Sequence, residues 1–253
     1  MHWWQAVILG VVEGLTEFLP VSSTGHLILA SKLLGLPQTE FLKSFEIAIQ
    51  LGAILAVIVI YWRKLLEIET LKKVAVAFVP TAAIGFVCYP FVKKYFLSNS
   101  TIVLWSLLIG GIVLILFDRL HRENTADAGK KPSYAKYFGV GVIQALSIIP
   151  GVSRSGATIL GGLALGFRRE AIVEFSFLLA VPVIIAATAL DLVKNSSAFA
   201  DADWTSLWIG GAVSFVVALA AIKFFLAYVR TRGFTAFGVY RILAAVAFWL
   251  FVR

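Results

Sequence analysis

The chain has 253 residues, of which 60% are hydrophobic and 14% are charged, and its formal net charge is +8. Soluble domains contain roughly 45–50% apolar and about 25% charged residues, so this composition excludes an ordinary soluble protein. The basic residues lie mostly between apolar blocks, which favours membrane topology control and contact with bilayer lipids, and we expect no nucleic-acid partner.

The first apolar stretch, residues 6–36, is interrupted near its middle by Pro, Gly and hydroxyl residues. Each half is too short to cross a bilayer, because a spanning helix needs about 20 apolar residues. Pro20 ends the first half, and the hydroxyl residues after it are typical N-cap residues of a second helix running to about Leu34. The pattern predicts a re-entrant helix pair around a site.

Two carboxylates lie in the first half of this stretch. Glu13 and Glu17 are four residues apart and therefore share one face of a helix. Two carboxylates are costly to keep in hydrocarbon, and a divalent cation (Mg²⁺ or Ca²⁺) would offset that cost because hard cations prefer oxygen ligands. We predict that Glu13 and Glu17 bind a metal, the alternative being a solvated pair among the lipid headgroups.

Hydroxyl groups and a histidine follow at the start of the second half. Ser22, Ser23 and Thr24 are more hydroxyls than one helix cap needs, so one is a candidate nucleophile. The free N–H groups of a helix N-terminus also suit phosphate. His26 lies within reach as a base or phosphoryl acceptor, the alternative being a structural histidine.

Six continuous apolar blocks have the length of full membrane spans, and they cover residues 46–62, 74–96, 101–118, 172–193, 205–229 and 234–252. Two groups of basic residues lie between them, and the positive-inside rule makes both cytoplasmic. Lys93 and Lys94 fall outside against the rule. The two groups are Arg63, Lys64, Lys72 and Lys73, and Arg119, Arg122, Lys130, Lys131 and Lys136. On this topology Arg168, Arg169, Arg230 and Arg232 fall on the same side, and Asp201 with Asp203 falls on the opposite side.

The second interrupted stretch, residues 138–167, contains the segment P-G-V-S-R-S-G-A-T at 150–158. Arg154 stands at a predicted helix start, and its guanidinium binds phosphate as a bidentate fork. Ser153, Ser155 and Thr158 flank it and complete an expected phosphate cradle. The alternative is an interfacial arginine that reaches the headgroups.

The two interrupted stretches resemble each other. Residues 10–36 align with 141–167 without a gap at ten identical positions, including a shared V-S-x-[ST]-G core. Because three spans follow each stretch, the second copy would be inverted in the membrane. We therefore predict a single all-α integral membrane domain over 1–253, an inverted-topology repeat in which each half is a re-entrant helix pair plus three transmembrane helices. Repeat 1 covers about 1–118 and repeat 2 about 137–253, joined by a cytoplasmic loop at 119–136.

A carboxylate pair, a hydroxyl, a histidine and an arginine at two helix N-termini suit phosphoryl transfer. With these residues the chain resembles the undecaprenyl-diphosphate phosphatase (bacitracin-resistance) family of bacteria. The resemblance is carried by E-G-L-T-E-F-L-P-V-S-S-T-G-H at 13–26 and P-G-V-S-R-S-G-A-T at 150–158, and F-E-I-A-I-Q-L-G-A-I-L-A-V at 45–57 also fits. It covers nearly the whole chain.

The resemblance implies hydrolysis of a C55 isoprenyl diphosphate to the monophosphate, which recycles the lipid carrier for cell-wall synthesis and lowers bacitracin sensitivity. It also implies a divalent cation, a bacterial inner-membrane location with the site facing outside, and a homodimer. Carried over by motif position, the catalytic residues are Glu17, Ser23, His26 and Arg154, the metal ligands are Glu13 and Glu17, and the phosphate-binding residues are Ser22, Thr24, Ser153, Arg154, Ser155 and Thr158.

Two alternatives remain open at this point. Inverted repeats with broken helices are also transporter architecture, so a lipid-phosphate flippase could use the same site. Within the phosphatase reading, either Ser23 or water could attack the terminal phosphate.

Overall fold

The computed structural model describes residues 1–96, 100–121, 132–194 and 203–252, with the backbone alone for residues 93, 94, 251 and 252. These residues form eleven α-helices and one short 3₁₀ turn, Ala145–Ile148, and contain no strand. The helices are α1 Trp3–Thr16, α2 Ser23–Leu33, α3 Glu40–Ala48, α4 Gln50–Leu65, α5 Ile68–Tyr95, α6 Ser100–Leu120, α7 Tyr134–Gln144, α8 Arg154–Ala164, α9 Arg169–Lys194, α10 Trp204–Thr231 and α11 Thr235–Val252.

Five segments are long and apolar enough to cross a membrane: Glu40–Leu65, Ile68–Val92, Ser100–Leu120, Arg169–Lys194 and Trp204–Thr231. They confirm five of the six predicted spans and the prediction of an all-α integral membrane protein. The sixth block forms α11, whose apolar part Thr235–Leu250 is shorter than the other five.

One end of the bundle collects basic residues, as predicted. Lys64 at the end of α4 pairs with Glu174 near the start of α9. The Arg230 Nε lies 3.8 Å from the Glu170 Oε2, and the Arg169 Nη1 donates to the Arg232 carbonyl at 3.0 Å. The end of α4, the start of α9 and the end of α10 therefore meet there. Arg122, Lys130, Lys131 and Asp201 of the prediction lie outside the described residues, as do the side chains of Lys93 and Lys94.

The two broken stretches start from different ends of the bundle. The Met1 amino group lies 3.9 Å from Asp203 Oδ2, at the start of α10 and therefore opposite the basic end. The Lys32 Nζ near the end of α2 donates to Ser100 Oγ at the same far end, at 3.1 Å. The Tyr134 hydroxyl at the start of α7 instead donates to Glu69 Oε2 at the basic end, at 2.9 Å.

Two short segments, here called elbows, join α1 to α2 (residues 17–22) and α7 to α8 (residues 145–153), and they have the same geometry at the residue before the second helix. Their N-cap residues Ser22 (φ 73°) and Ser153 (φ 24°) are the two non-glycine residues with positive φ in the described chain. Each serine hydroxyl accepts the N–H of a glycine three residues on, at 3.4 Å from Gly25 and 3.1 Å from Gly156. These pairs are separated by the same offset as the aligned sequence stretches.

The helices pack in corresponding pairs. Helix α1 lies against α10 and α7 against α5, while α4 contacts α10 and α9 contacts α5. Helix α4 also meets α9, and α6 meets α11. Exchanging the first half of the chain with the second leaves this set of pairings unchanged. The largest buried apolar cluster lies inside this arrangement, next to the first elbow, around Phe18, Phe177 and Phe225.

Candidate active site

The two elbows lie against each other inside the bundle. The Ser155 hydroxyl donates to the Leu19 carbonyl at 2.7 Å, which ties the start of α8 to the end of the first elbow. Phe18 is fully buried beneath them and packs edge-on against Phe177, with ring centroids 5.4 Å apart. The buried aromatic ring fixes the first elbow because a well-packed interior leaves its side chains few alternatives.

Three predicted catalytic residues meet where the elbows touch. The Arg154 Nη2 donates to Glu17 Oε1 at 2.9 Å, and the Ser23 Oγ donates to Glu17 Oε2 at 2.5 Å. The side chains of Arg154 and Glu17 are only 11% and 7% exposed. The expectation that cationic and acidic groups from the two halves meet is therefore met by a direct ion pair. Both oxygens of Glu17 are engaged, one by each half.

Arg154 is held from a second side by Ser176 of α9. Its Nη1 donates to the Ser176 carbonyl at 2.8 Å and lies 3.3 Å from the Ser176 hydroxyl. The Arg154 Nε is buried and has no hydrogen-bond partner among the described residues. A buried donor without an acceptor is costly, and an incoming phosphate oxygen would supply that acceptor.

A cavity of about 170 Å³ opens beside this cluster. Its polar wall includes six of the predicted site residues, and Val183, Ile184 and Ala187 of α9 supply part of its apolar wall. It therefore combines hydroxyls, a carboxylate and a guanidinium with an apolar side. The predicted residues that line it are Glu17, Ser22, Ser23, Thr24, Ser153 and Arg154.

Ser155 and Thr158, both predicted to bind phosphate, do not line the cavity. The Thr158 hydroxyl is fully buried and donates to Gln144 Oε1 at 2.7 Å and lies 2.8 Å from the Arg154 carbonyl. The Ser155 hydroxyl is 3.1 Å from that of Ser153. Both side chains brace the elbow from behind in this arrangement, and a direct phosphate contact by either stays a prediction.

His26 lies on the far side of the first elbow. Its Nδ1 is 2.8 Å from the Ser22 carbonyl and its Nε2 is 2.8 Å from the Tyr240 hydroxyl. A carbonyl only accepts, so Nδ1 carries a proton, and in the neutral ring Nε2 accepts from Tyr240. The ring stacks on Tyr240, with centroids 5.4 Å apart, and does not line the cavity. Its catalytic role stays a prediction.

Glu13 is fully buried one helical turn before Glu17, and neither of its carboxylate oxygens has a hydrogen-bond partner among the described residues. Orphaned carboxylate oxygens in a buried place suit a hard cation, which prefers oxygen ligands. The side chain therefore fits the predicted metal site. The described residues contain no group of three or more His, Cys, Asp or Glu that could hold a metal by themselves. Hydroxyl, water or phosphate oxygens would have to complete the coordination.

The sequence reasoning did not identify several polar residues at the site. Ser176 holds Arg154, while Gln50 and Ser147 line the cavity. Ser176 and Gln50 lie inside predicted spans, and a polar group in a span is the available signal for them. The contact between Tyr240 and His26 could not be inferred in this way, because it joins residues 214 positions apart in the chain.

A family model described as "Bacitracin resistance protein BacA" matches residues 6–247 of the chain. An undecaprenyl-diphosphatase of Sulfurihydrogenibium sp. (strain YO3AOP1) is 49% identical over 248 residues, which cover 97% of this chain and 98% of that protein. Undecaprenyl-diphosphatases of Aquifex aeolicus and Thermus thermophilus are 47% and 49% identical, over 99% of this chain and 100% and 98% of theirs.

Proposed function

The chain belongs to the bacitracin resistance protein family, and we propose that it hydrolyses undecaprenyl diphosphate to the monophosphate and inorganic phosphate where its two elbows meet. The observation that carries the proposal is the buried Glu17–Arg154 pair with Ser23 beside it, on the wall of one cavity. Relatives that align over their whole length bear the name of this phosphatase. The activity recycles the lipid carrier of cell-wall synthesis and lowers bacitracin sensitivity.

The reaction begins when the terminal phosphate of the substrate binds Arg154 and replaces Glu17 as the partner of its guanidinium. The guanidinium keeps its contacts with Ser176 and turns its remaining N–H groups to the terminal phosphate, as a planar fork can. Glu17 then loses its cationic partner and is free to accept a proton from the Ser23 hydroxyl, which already points at it. The free N–H groups at the starts of α2 and α8 hold further phosphate oxygens.

The Ser23 oxygen attacks the terminal phosphorus, and the bond from that phosphorus to the bridging oxygen breaks, releasing undecaprenyl phosphate. Glu17 passes the Ser23 proton to the departing monophosphate. Water then attacks the phosphoserine, and Glu17 takes a proton from the water and returns it to the Ser23 oxygen as the bond from that oxygen to phosphorus breaks. Inorganic phosphate leaves with the serine hydroxyl restored. The rival is direct attack by water. Trapping phosphorylated Ser23 supports the covalent route. Both routes place one water oxygen in the phosphate, so the configuration at an isotopically chiral terminal thiophosphate distinguishes them: retention, from two displacements, supports the covalent route, and inversion, from one displacement, contradicts it.

Glu13 and Glu17 are the residues that would hold a divalent cation. When bound, such an ion would neutralise charge on the diphosphate and on the departing monophosphate. In this arrangement Arg154 occupies one Glu17 oxygen, so its move to the phosphate also releases a carboxylate oxygen.

We further propose that the fold is an inverted repeat of two re-entrant pairs, each followed by three membrane helices. The shared elbow geometry, the exchange symmetry of helix packing and the opposite starting ends of α1 and α7 support this. The positive-inside rule then puts the basic end in the cytoplasm of a bacterial inner-membrane protein. A site facing outward and a homodimer remain expectations from the family resemblance.

The test is release of inorganic phosphate from a polyprenyl diphosphate by purified protein in detergent, where the two sides of a membrane do not exist. A phosphatase releases phosphate under these conditions, and a flippase does not. The relatives' phosphatase name gives no support to the flippase alternative. Absence of phosphate release by well-folded protein, with cation supplied, would overturn the proposal.

A further inference from the structure

Arg241 in the middle of α11 is a buried cation whose partners are all backbone carbonyls. Its side chain is among the buried groups, with the residue 2% exposed. The described residues give it four acceptors and no carboxylate. A buried charge is costly unless its surroundings compensate it. An arginine at this position therefore indicates a role that an apolar side chain could not perform.

The four carbonyls come from three different parts of the chain. Two belong to α6: the Arg241 Nη2 donates to Ser106 at 2.8 Å and the Nε to Leu107 at 3.3 Å. The other two belong to the elbows: Nη2 donates to Gly151 at 2.9 Å and Nη1 to Pro20 at 3.3 Å. One guanidinium therefore joins both elbows to the same helix.

Pro20 and Gly151 are equivalent positions in the two aligned stretches. Pro20 is three residues from Glu17 and three from Ser23, and Gly151 is three residues before Arg154. The two bonds consequently act on the short segments that carry the reacting side chains of each half. A change in the distance between these carbonyls changes the distance between Ser23 and Arg154.

We infer that Arg241 is a positioning residue that fixes the two elbows at the separation the reaction requires. Arg241 itself does not line the cavity, and all the partners that it has among the described residues are backbone carbonyls. This inference rests on the proposed phosphatase activity, because its effect is measured as turnover. Reacting groups must be held to within a fraction of an ångström, and a misplacement of about 1 Å can lower a rate about 100-fold.

Gly110 on α6 offers a way to move the guanidinium without changing Arg241. A Cβ atom at this glycine would lie 2.1 Å from the Arg241 Nη2 and 2.6 Å from its Cζ, so Gly110→Ala must displace the guanidinium from the elbow carbonyls. Gly85→Ala is the matched control, since Gly85 also lies inside a spanning helix and its added Cβ would meet nothing within 4 Å.

The experiment measures kcat and KM for phosphate release, together with the thermal unfolding midpoint in detergent, for both glycine variants, Arg241→Lys and Arg241→Met. We expect Gly110→Ala to lower kcat by about 10- to 100-fold with a smaller change in KM, because each elbow still presents its own phosphate ligands. Gly85→Ala should match the parent protein. Arg241→Lys should unfold near the parent temperature and still lose kcat, since an ammonium cannot reach carbonyls on both sides as a planar fork does.

A double variant separates positioning from a merely structural role. If Gly110→Ala acts through the guanidinium, adding it to Arg241→Met should lower kcat little beyond Arg241→Met alone. The inference is overturned if Gly110→Ala turns over like Gly85→Ala, or if kcat per folded molecule is unchanged and only the folded fraction falls. Failure of the parent protein to release phosphate would instead count against the proposed function.

Discussion

Replacing Arg154 with lysine tests the planar fork at the centre of the site. The arginine spans the gap between two halves of the protein, donating to Glu17 at 2.9 Å and to the Ser176 carbonyl at 2.8 Å. A lysine ammonium keeps the charge but is a single donor centre on a flexible stem. It can stay with Glu17 or turn to the phosphate, whereas the fork is built to hold its α9 anchor and a phosphate at once.

The expected size of the effect follows from the bonds lost. A hydrogen bond to a charged group contributes about 1.5–3 kcal/mol, and lysine forfeits at least one such bond to the phosphate in the transition state. Since 1.36 kcal/mol corresponds to tenfold in rate, kcat should fall by about 10- to 100-fold. The loss of the Ser176 anchor would add to this by misplacing the ammonium.

Phosphate release from a polyprenyl diphosphate in detergent measures the effect, with size-exclusion and thermal unfolding to establish that the variant is folded. Arg230→Lys is the control, because Arg230 and its partner Glu170 are 67% and 54% exposed and lie at the basic end of the bundle. That variant should retain parent activity. A folded Arg154→Lys protein that turns over as fast as Arg230→Lys would refute the role of the fork.

Three further results are expected. Ser23→Ala should lower kcat by more than about 100-fold, since loss of the nucleophile removes the whole covalent route. Ser147→Ala, on the same cavity wall, should retain most activity. Equal activity of the two variants would contradict attack by Ser23. A chelator should abolish phosphate release and added Mg²⁺ or Ca²⁺ should restore it, whereas full activity in excess chelator would exclude a metal at Glu13 and Glu17. Gly151→Ala should lower the free energy of unfolding by about 1–3 kcal/mol more than Gly35→Ala. Both glycines have positive φ, but a Cβ at Gly151 would lie 2.8 Å from the Val103 carbonyl oxygen, whereas a Cβ at Gly35 would meet nothing within 4 Å. Equal unfolding midpoints of the two variants would contradict this.

The sequence predicted the parts of the fold that depend on local pattern. Continuous apolar blocks give spans, and Pro20 followed by hydroxyls gives a helix break and a cap, so α2 begins at Ser23 as expected. The ungapped alignment also located the equivalent start of α8 at Arg154. These features depend on residues close together in the chain, where propensity and capping act directly.

The parts that the sequence did not predict depend on distant residues. Ser176, which holds Arg154, and Tyr240, which holds His26, come from helices far along the chain. Arg241 lies inside the predicted span 234–252, and its charge within that span is the one sequence signal of a role. The sequence also does not predict which of the site residues line the cavity. Thr158 and His26, for example, do not line it.

The left-handed backbone at Ser22 and Ser153 bears on how this protein could be engineered. Serine is rarely stable at positive φ, and such a residue costs about 1–3 kcal/mol that glycine would not incur. Yet glycine would delete the hydroxyls that cap α2 and α8 beside the cavity. Directed evolution for heat resistance alone would therefore drift toward glycine at both positions, so a library meant to yield robust working catalyst should hold these two serines constant.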